Sequence, residues 1–389
     1  MLTDEQIEKL LYEYTKRQDE FNLSVIRIIA ERLSKLVVFD DIFSLDTLSV
    51  MTEDVMSINN EYNKYKRDQK KRIKDDFWLL AEFVYGEALV FYETQLALAQ
   101  NRELDEFISS QIIEAQDRFN SLIDNPVISI RDLSNPGAMR NFSLDEAYRS
   151  IINEAISYRG LSKDLMNVAL NRTESQLFDS GIRYMSGDDS VSANNAIRLN
   201  ILDSMRELIN GMQDVMGKQF GADGVELSAH FYPAPDHAEA QGHQYTLDNM
   251  DNMQGGMDFE DINGNHYVGF ERQIGTLNCR HYFMMIKIGK TKPTFTQEQL
   301  DKILEDNERG YTTPDGRHYT LYECTQIQRG YERRIRNAKE KYLYEESLSN
   351  RKNMASIKTR IGNLTNQYKT FSRACGIPAK LERTRVKDY

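Results

Sequence analysis

The sequence predicts an α+β fold that is predominantly α, and three observations predict it. Before position 233 the only prolines are Pro126 and Pro136. In that stretch apolar residues recur at helical spacing. Beyond Val225 the texture breaks into short segments rich in Pro, Gly and His, and helical spacing returns after Tyr319.

The first helix opens on a capping signature, Thr3 with Gln6, which satisfies orphan amides at a helix start. Its apolar stripe is Ile7, Leu11, Tyr14, Phe21, Val25 and Ile28, with polar Gln18 in the gap. Such a stripe suits packing against another helix. A second helical block spans roughly 52–123. Its cations Lys64, Lys66, Arg67, Lys70, Lys71, Arg72 and Lys74 alternate with Asp68, Asp75 and Asp76, and read better as a solvated face than as a phosphate site. The following run, Phe77, Trp78, Leu79, Leu80, Phe83, Val84, Leu89 and Phe91, is expected to be buried core or interface, with Trp78 as a packing anchor.

The segment from Asn125 to Asn141 holds both prolines and a glycine, and reads as a loop or a strand-bearing connector. Helix resumes at Ser143, capped with Glu146, and again after Ser190, where Ile197, Leu199, Ile201, Leu202, Met205, Leu208, Ile209, Met212 and Met216 keep helical spacing. Gly221 ends that helix. The run Tyr282–Ile288 reads as a buried strand. Thr296 with Gln299 caps a further helix, and one long helix or a helical pair is expected from Tyr319 to about Lys369. The expected organisation is therefore two helical regions, 1–124 and 125–220, a small α+β module over 221–320, and a basic helical arm over 321–389.

Composition narrows the function. Apolar residues make up 40% and charged residues 28%, and no run of about 18 apolar residues predicts a membrane span. The first residues, MLTDEQIEKLLYEY, lack the basic and apolar regions of a signal peptide. Cys279, Cys324 and Cys375 form no close pair, which argues against a disulfide scaffold and a CxxC zinc module and for a reducing compartment.

The net charge of −11 argues against non-specific nucleic-acid binding by the whole chain. The charge is unevenly spread, however. Gln328–Tyr389 carries 16 Lys+Arg against 6 Asp+Glu, a net of +10, and the rest carries −21. On the C-terminal helix Gln326, Arg329, Arg333, Arg336 and Lys339 form a basic stripe, with Arg334 beside it. Ile327, Tyr331, Ile335, Ala338 and Tyr342 occupy the neighbouring face. The stripe reads either as a solvated face of an amphipathic helix or as a site for DNA phosphates or an acidic protein partner, in cis or in trans. The tail from Ala379 to Tyr389 has no pattern and is expected to be flexible unless a partner orders it.

All six histidines lie at or beyond His230, and five fall between His230 and His281 together with Cys279. Three readings compete there. Imidazole and thiolate are zinc ligands, so His230, His237, Cys279 and His281 are candidate ligands, although H-x6-H-x5-H and C-x-H match no finger spacing. Alternatively, Cys279 could be a nucleophile with His230, His237 or His243 as base and Arg280 favouring the thiolate. The residues best support a third reading, a polar network that specifies the fold of a loop-rich module. No catalytic residue, metal or cofactor is assigned on this basis.

Four stretches in this region resemble the phage minor capsid protein 2 family. They are Val225-Glu226-Leu227-Ser228-Ala229-His230; Pro235-Asp236-His237 followed by Gln241-Gly242; Asn278-Cys279-Arg280-His281; and Tyr322-Glu323-Cys324-Thr325-Gln326 continuing to Arg336. Their order matches the family's motifs, and the likeness extends weakly back to about Asn171. The chain departs from the pattern at Phe231–Ala234, at Ala240, at Leu277 (where the family has Trp) and at Cys324 (where Ala is common).

The resemblance implies a tailed-phage virion protein, present in several copies beside the portal in the head. Its role would be comparable to that of Mu F-like head morphogenesis proteins. It would meet portal or major capsid protein, and packaged double-stranded DNA through the basic arm, after assembly in the host cytoplasm. The family-motif polar network would be His230, His237, Gln241, Asn278, Cys279, Arg280 and His281. The alternative is a virion-associated enzyme, a Cys/His hydrolase or nucleotide-modifying module on a capsid-targeting scaffold.

Overall fold

The computed structural model describes residues 3–38, 46–91, 102–131, 139–159, 177, 181–186, 189–276 and 279–389. Among these the helices are α1 (Asp4–Val38), α2 (Asp46–Phe91), α3 (Arg102–Ile123), α4 (Leu144–Arg159), α5 (Ala193–Phe220), α6 (Leu247–Gln254), α7 (Gln297–Arg309), α8 (Leu321–Ser347) and α9 (Arg351–Cys375). Short antiparallel strands complete an α+β fold that is predominantly α. None of these helices is long and apolar enough to cross a membrane. The chain divides into two compact units: Met1–Leu11, Lys70–Phe119 and Arg198–Gln326 form one, and Tyr12–Gln69, Asn120–Ile197 and Ile327–Tyr389 the other.

The expected caps form. Thr3 and Gln6 bond reciprocally, as do Ser143 and Glu146. Along α1, Ile7, Leu11, Tyr14, Phe21 and Val25 are buried, but Ile28 is only half-buried and the stripe continues through Ile29 and Leu33. Gln18, read as a polar gap, is fully buried. Its Oε1 accepts from the Tyr65 and Tyr184 hydroxyls, both at 2.7 Å, so this position joins α1 to α2 and to a strand.

On α2 the cations Lys64, Arg67, Lys70, Lys71 and Lys74 are exposed, as a solvated face requires, while Tyr65, Gln69 and Ile73 are buried. The apolar run beyond them is not buried as a block. Phe77, Leu80 and Val84 are buried, Trp78 and Phe83 half-buried, and Leu79 is 63% exposed. A helix turns only one stripe toward a core, so consecutive apolar residues cannot all enter it. The side chains of Leu89 and Phe91 lie outside the described residues.

The proline-bearing connector becomes β1 (Pro126–Arg131) and β2 (Met139–Ser143). With β3 (Ile182–Ser186) and β4 (Asp189–Ser192) they form a sheet of order β2-β1-β3-β4. The last two strands carried no clear sequence signal.

In the same unit α8 and α9 form the expected helical pair, closed by Ile335, Ala338, Ile361, Leu364 and Tyr368. The tail is not free. Arg336 donates to the Arg383 carbonyl (2.8 Å) and Lys339 to the Thr384 carbonyl (2.8 Å). The Tyr12 hydroxyl donates to the Glu382 carbonyl (2.8 Å), and Arg27 pairs with Asp388 (2.7 Å). The partner that orders the tail is thus the chain itself.

The other unit contains the His-rich segment. Here β5 (Gly224–Leu227) is the central strand, between β6 (Gln244–Thr246) and β9 (Phe283–Ile286). The first of two hairpins pairs β7 (Phe259–Glu260) with β8 (His266–Tyr267), and the second pairs β10 (Tyr311–Thr312) with β11 (His318–Tyr319). Val225, Leu227, Tyr245, Met253, Phe259, Phe283 and Met285 make a small core. Helix α5 lies tightly on the sheet at Gly217, where a Cβ would come within 2.5 Å of the Met285 Cβ. The capping box of Thr296 and Gln299 starts α7.

Candidate functional site

Three loop residues converge at one end of the strands of this sheet. His237 follows the turn after Pro235, and Cys279 and His281 immediately precede β9. Cys279 Sγ lies 3.4 Å from the Nδ1 of His237 and 3.4 Å from the Nδ1 of His281. The three donor atoms all fall within 4.8 Å of one another, and all three residues are buried.

The histidines are oriented from behind. His237 Nε2–H donates to the Arg272 carbonyl (2.7 Å), and Arg272 is held by a two-pronged ion pair with Asp236 (2.6 and 2.8 Å). His281 Nε2 lies 3.2 Å from Gln241 Oε1. The orientation of Gln241 is in turn set by His230, whose backbone N–H donates to Oε1 (2.8 Å) and whose carbonyl accepts from Nε2 (3.3 Å). The His230 ring stacks edge-on to that of His281, with centroids 4.7 Å apart.

Electrostatics keep the pair neutral. Burial pushes the Cys279 thiol up, against the backbone N–H groups of Gly275 and His281 and the Arg206 and Arg272 charges, which favour the thiolate. Burial also pushes the His237 imidazole down. A hydrolytic cysteine needs an accessible thiolate next to an imidazolium, and both conditions are opposed here.

Of the residues expected to act together, His230, His237, Gln241, Cys279 and His281 do meet. Asn278 lies outside the described residues. Arg280 turns away from the thiol and pairs with buried Glu8 of α1 (2.6 Å), which also accepts two bonds from Arg198 (2.6 and 3.1 Å). His243 pairs instead with Asp261 (3.0 Å) and is not a base for Cys279.

Glu8, Arg206, Asp236 and Arg272 support the site without having been expected from the sequence. Glu8 carried a faint signal as a carboxylate beside Ile7, the first residue of the buried stripe. Arg206, buried in α5, donates to the Cys279 carbonyl, a contact no local pattern announces.

The basic stripe of α8 is divided by the fold. Arg336 is ion-paired with Asp19 (3.0 Å), and both Arg336 and Lys339 hold the tail. Arg329 is half-buried, and Arg333 and Arg334 are exposed. The neighbouring α9 carries Arg351, Lys352, Lys358, Arg360, Lys369 and Arg373, all exposed, and has no acidic residue.

No curated protein and no solved structure matches the chain. The family model described as "Phage minor capsid protein 2" does match it, over residues 2–372. That span takes in the His/Cys cluster, most of both compact units and nearly the whole length, and on it the chain belongs to the phage minor capsid protein 2 family.

Proposed function

We propose that the protein is a structural component of the phage head, seated near the portal, where it acts in head assembly and in DNA packaging or ejection. The observation that carries this is the family match across 2–372. Long helices with buried seams suit a scaffold that binds neighbouring virion proteins. The surface for the packaged duplex is α9 with Arg333 and Arg334, because these cations are exposed and no carboxylate on α9 offsets them. Contact there would be with phosphates and independent of sequence.

The test is to purify mature particles and identify their proteins by mass spectrometry after cross-linking. The expected result is this chain in few copies, cross-linked to portal protein. Its absence from particles would overturn the virion role, and cross-links confined to the shell would overturn the portal location.

A further inference from the structure

We propose that His237, Cys279 and His281 bind a zinc ion that staples two distant loops of the His-rich module. Gln241 fixes the protonation of one of the two imidazoles. Its Oε1 receives the backbone N–H of His230, and its Nε2 reaches the His230 carbonyl. A backbone N–H only donates and a carbonyl only accepts, so the amide orientation is set. Oε1 is therefore an acceptor toward His281, and His281 Nε2 must carry the proton. The same logic holds for His237, whose Nε2 faces the Arg272 carbonyl.

In each neutral ring the other nitrogen, Nδ1, then bears a lone pair. Both Nδ1 atoms aim at the same sulfur, at 3.4 Å. A thiol proton can be given to only one of them, whereas a divalent cation bonds to both nitrogens and to sulfur.

The distances also fit. With Zn–S of roughly 2.3 Å and Zn–N of roughly 2.0–2.1 Å, a tetrahedral site has an S···N edge of about 3.5 Å. Oxygen acceptors behind the distal nitrogens are the usual support for metal-bound imidazoles, since they set the ring and raise its basicity. The backbone N–H groups of Gly275 and His281 that face Sγ favour the thiolate form a metal requires. One sulfur and two imidazoles select zinc over hard cations. Among the described residues no fourth His, Cys, Asp or Glu donor converges with these three, and three protein ligands leave one position of a tetrahedral site for water.

The ion would join the loop around His237 to that around Cys279, 42 residues later. A module with so small a core gains most from such a link. Binding would deprotonate Cys279 and release that proton to solvent.

The full-length protein, produced with zinc in the medium and dialysed against metal-free buffer, is expected to retain about one zinc per chain by elemental analysis. Loaded instead with cobalt(II), it is expected to show a thiolate-to-metal charge-transfer band and the intense visible bands of a tetrahedral site. Cys279→Ser, shown to be folded by circular dichroism, is expected to lose the charge-transfer band. Two wild-type results each overturn the proposal whether or not the variant folds. One is substoichiometric zinc. The other is a cobalt spectrum without the thiolate band.

Discussion

His237 and Cys279 are separated by 42 residues, yet the imidazole Nδ1 sits 3.4 Å from the thiol sulfur with both groups out of solvent. The contact is made by two loops that meet at one end of β5, β6 and β9, and Gln241 holds the second imidazole, His281, against the same sulfur.

Gln241 is therefore expected to be a stability determinant. Gln241→Leu keeps the volume but leaves the His230 N–H and the His281 Nε2–H without their acceptor. Each buried donor left unpaired costs about 1–3 kcal/mol, so a loss of roughly 2–4 kcal/mol is expected in urea unfolding. A loss below the cost of a single donor would show that the amide does not hold the two histidines.

Gln18 makes the same point in the other unit. Gln18→Leu strands the hydroxyls of Tyr65 and Tyr184, and a loss of about 2 kcal/mol or more is expected. In a double-mutant cycle Gln18→Leu and Tyr65→Phe should couple, because each removes a partner of the same bond. Additive effects would contradict the network.

Glu8 should matter more than its surface neighbours. Glu8→Leu leaves Arg198 and Arg280 facing an apolar group, for a loss of roughly 2–3 kcal/mol, the low end for a paired charge that keeps some solvent. Glu5→Gln on the exposed face of the same helix should stay within about 0.5 kcal/mol. Equal losses at the two sites would remove the special role of Glu8.

Glu340 is expected to make the protein less stable as pH rises. Burial, reinforced by Asp19, raises its carboxyl pKa well above the ordinary range, although Arg336 opposes the shift. A raised pKa means that the folded state holds the proton more tightly than the unfolded chain. Below the unfolded value of about 4.3 both states are protonated and nothing is lost. Above it the unfolded chain ionises first and stability falls until the folded group also ionises. Glu340→Gln should accordingly be more stable than the wild type at neutral pH, and the advantage should vanish toward pH 4. An advantage that is constant across pH would assign it to packing.

The basic surface can be tested by salt dependence. Replacing Lys358 and Arg360 by Gln should weaken binding to random-sequence duplex. It should also reduce the slope of log affinity against log salt by about 1 for each phosphate no longer neutralised. Lys339→Ala, which removes one of the bonds that hold the tail, should leave the slope unchanged. Fluorescence anisotropy across a salt series separates the outcomes, and an unchanged slope in the α9 variant would move DNA binding elsewhere.

What the sequence determined by itself was local. The caps at Thr3, Ser143 and Thr296 formed because a capping bond reaches only three residues. The long helices followed from the 3.6-residue repeat, and the four ordered motifs pointed to the family that matches over 2–372. Periodicity says that one face of a helix is buried but not what it meets, so Gln18 read as a gap and Leu79 as core or interface. Tertiary structure alone decided that His237 and His281, but not His243, share Cys279, and that Arg280 pairs with Glu8. It also decided that Arg336 and Lys339 serve the chain's own tail. Each of these outcomes depends on chain segments tens to hundreds of residues apart arriving at one place, where burial and the demand that every buried polar group find a partner select among the combinations that spacing leaves open.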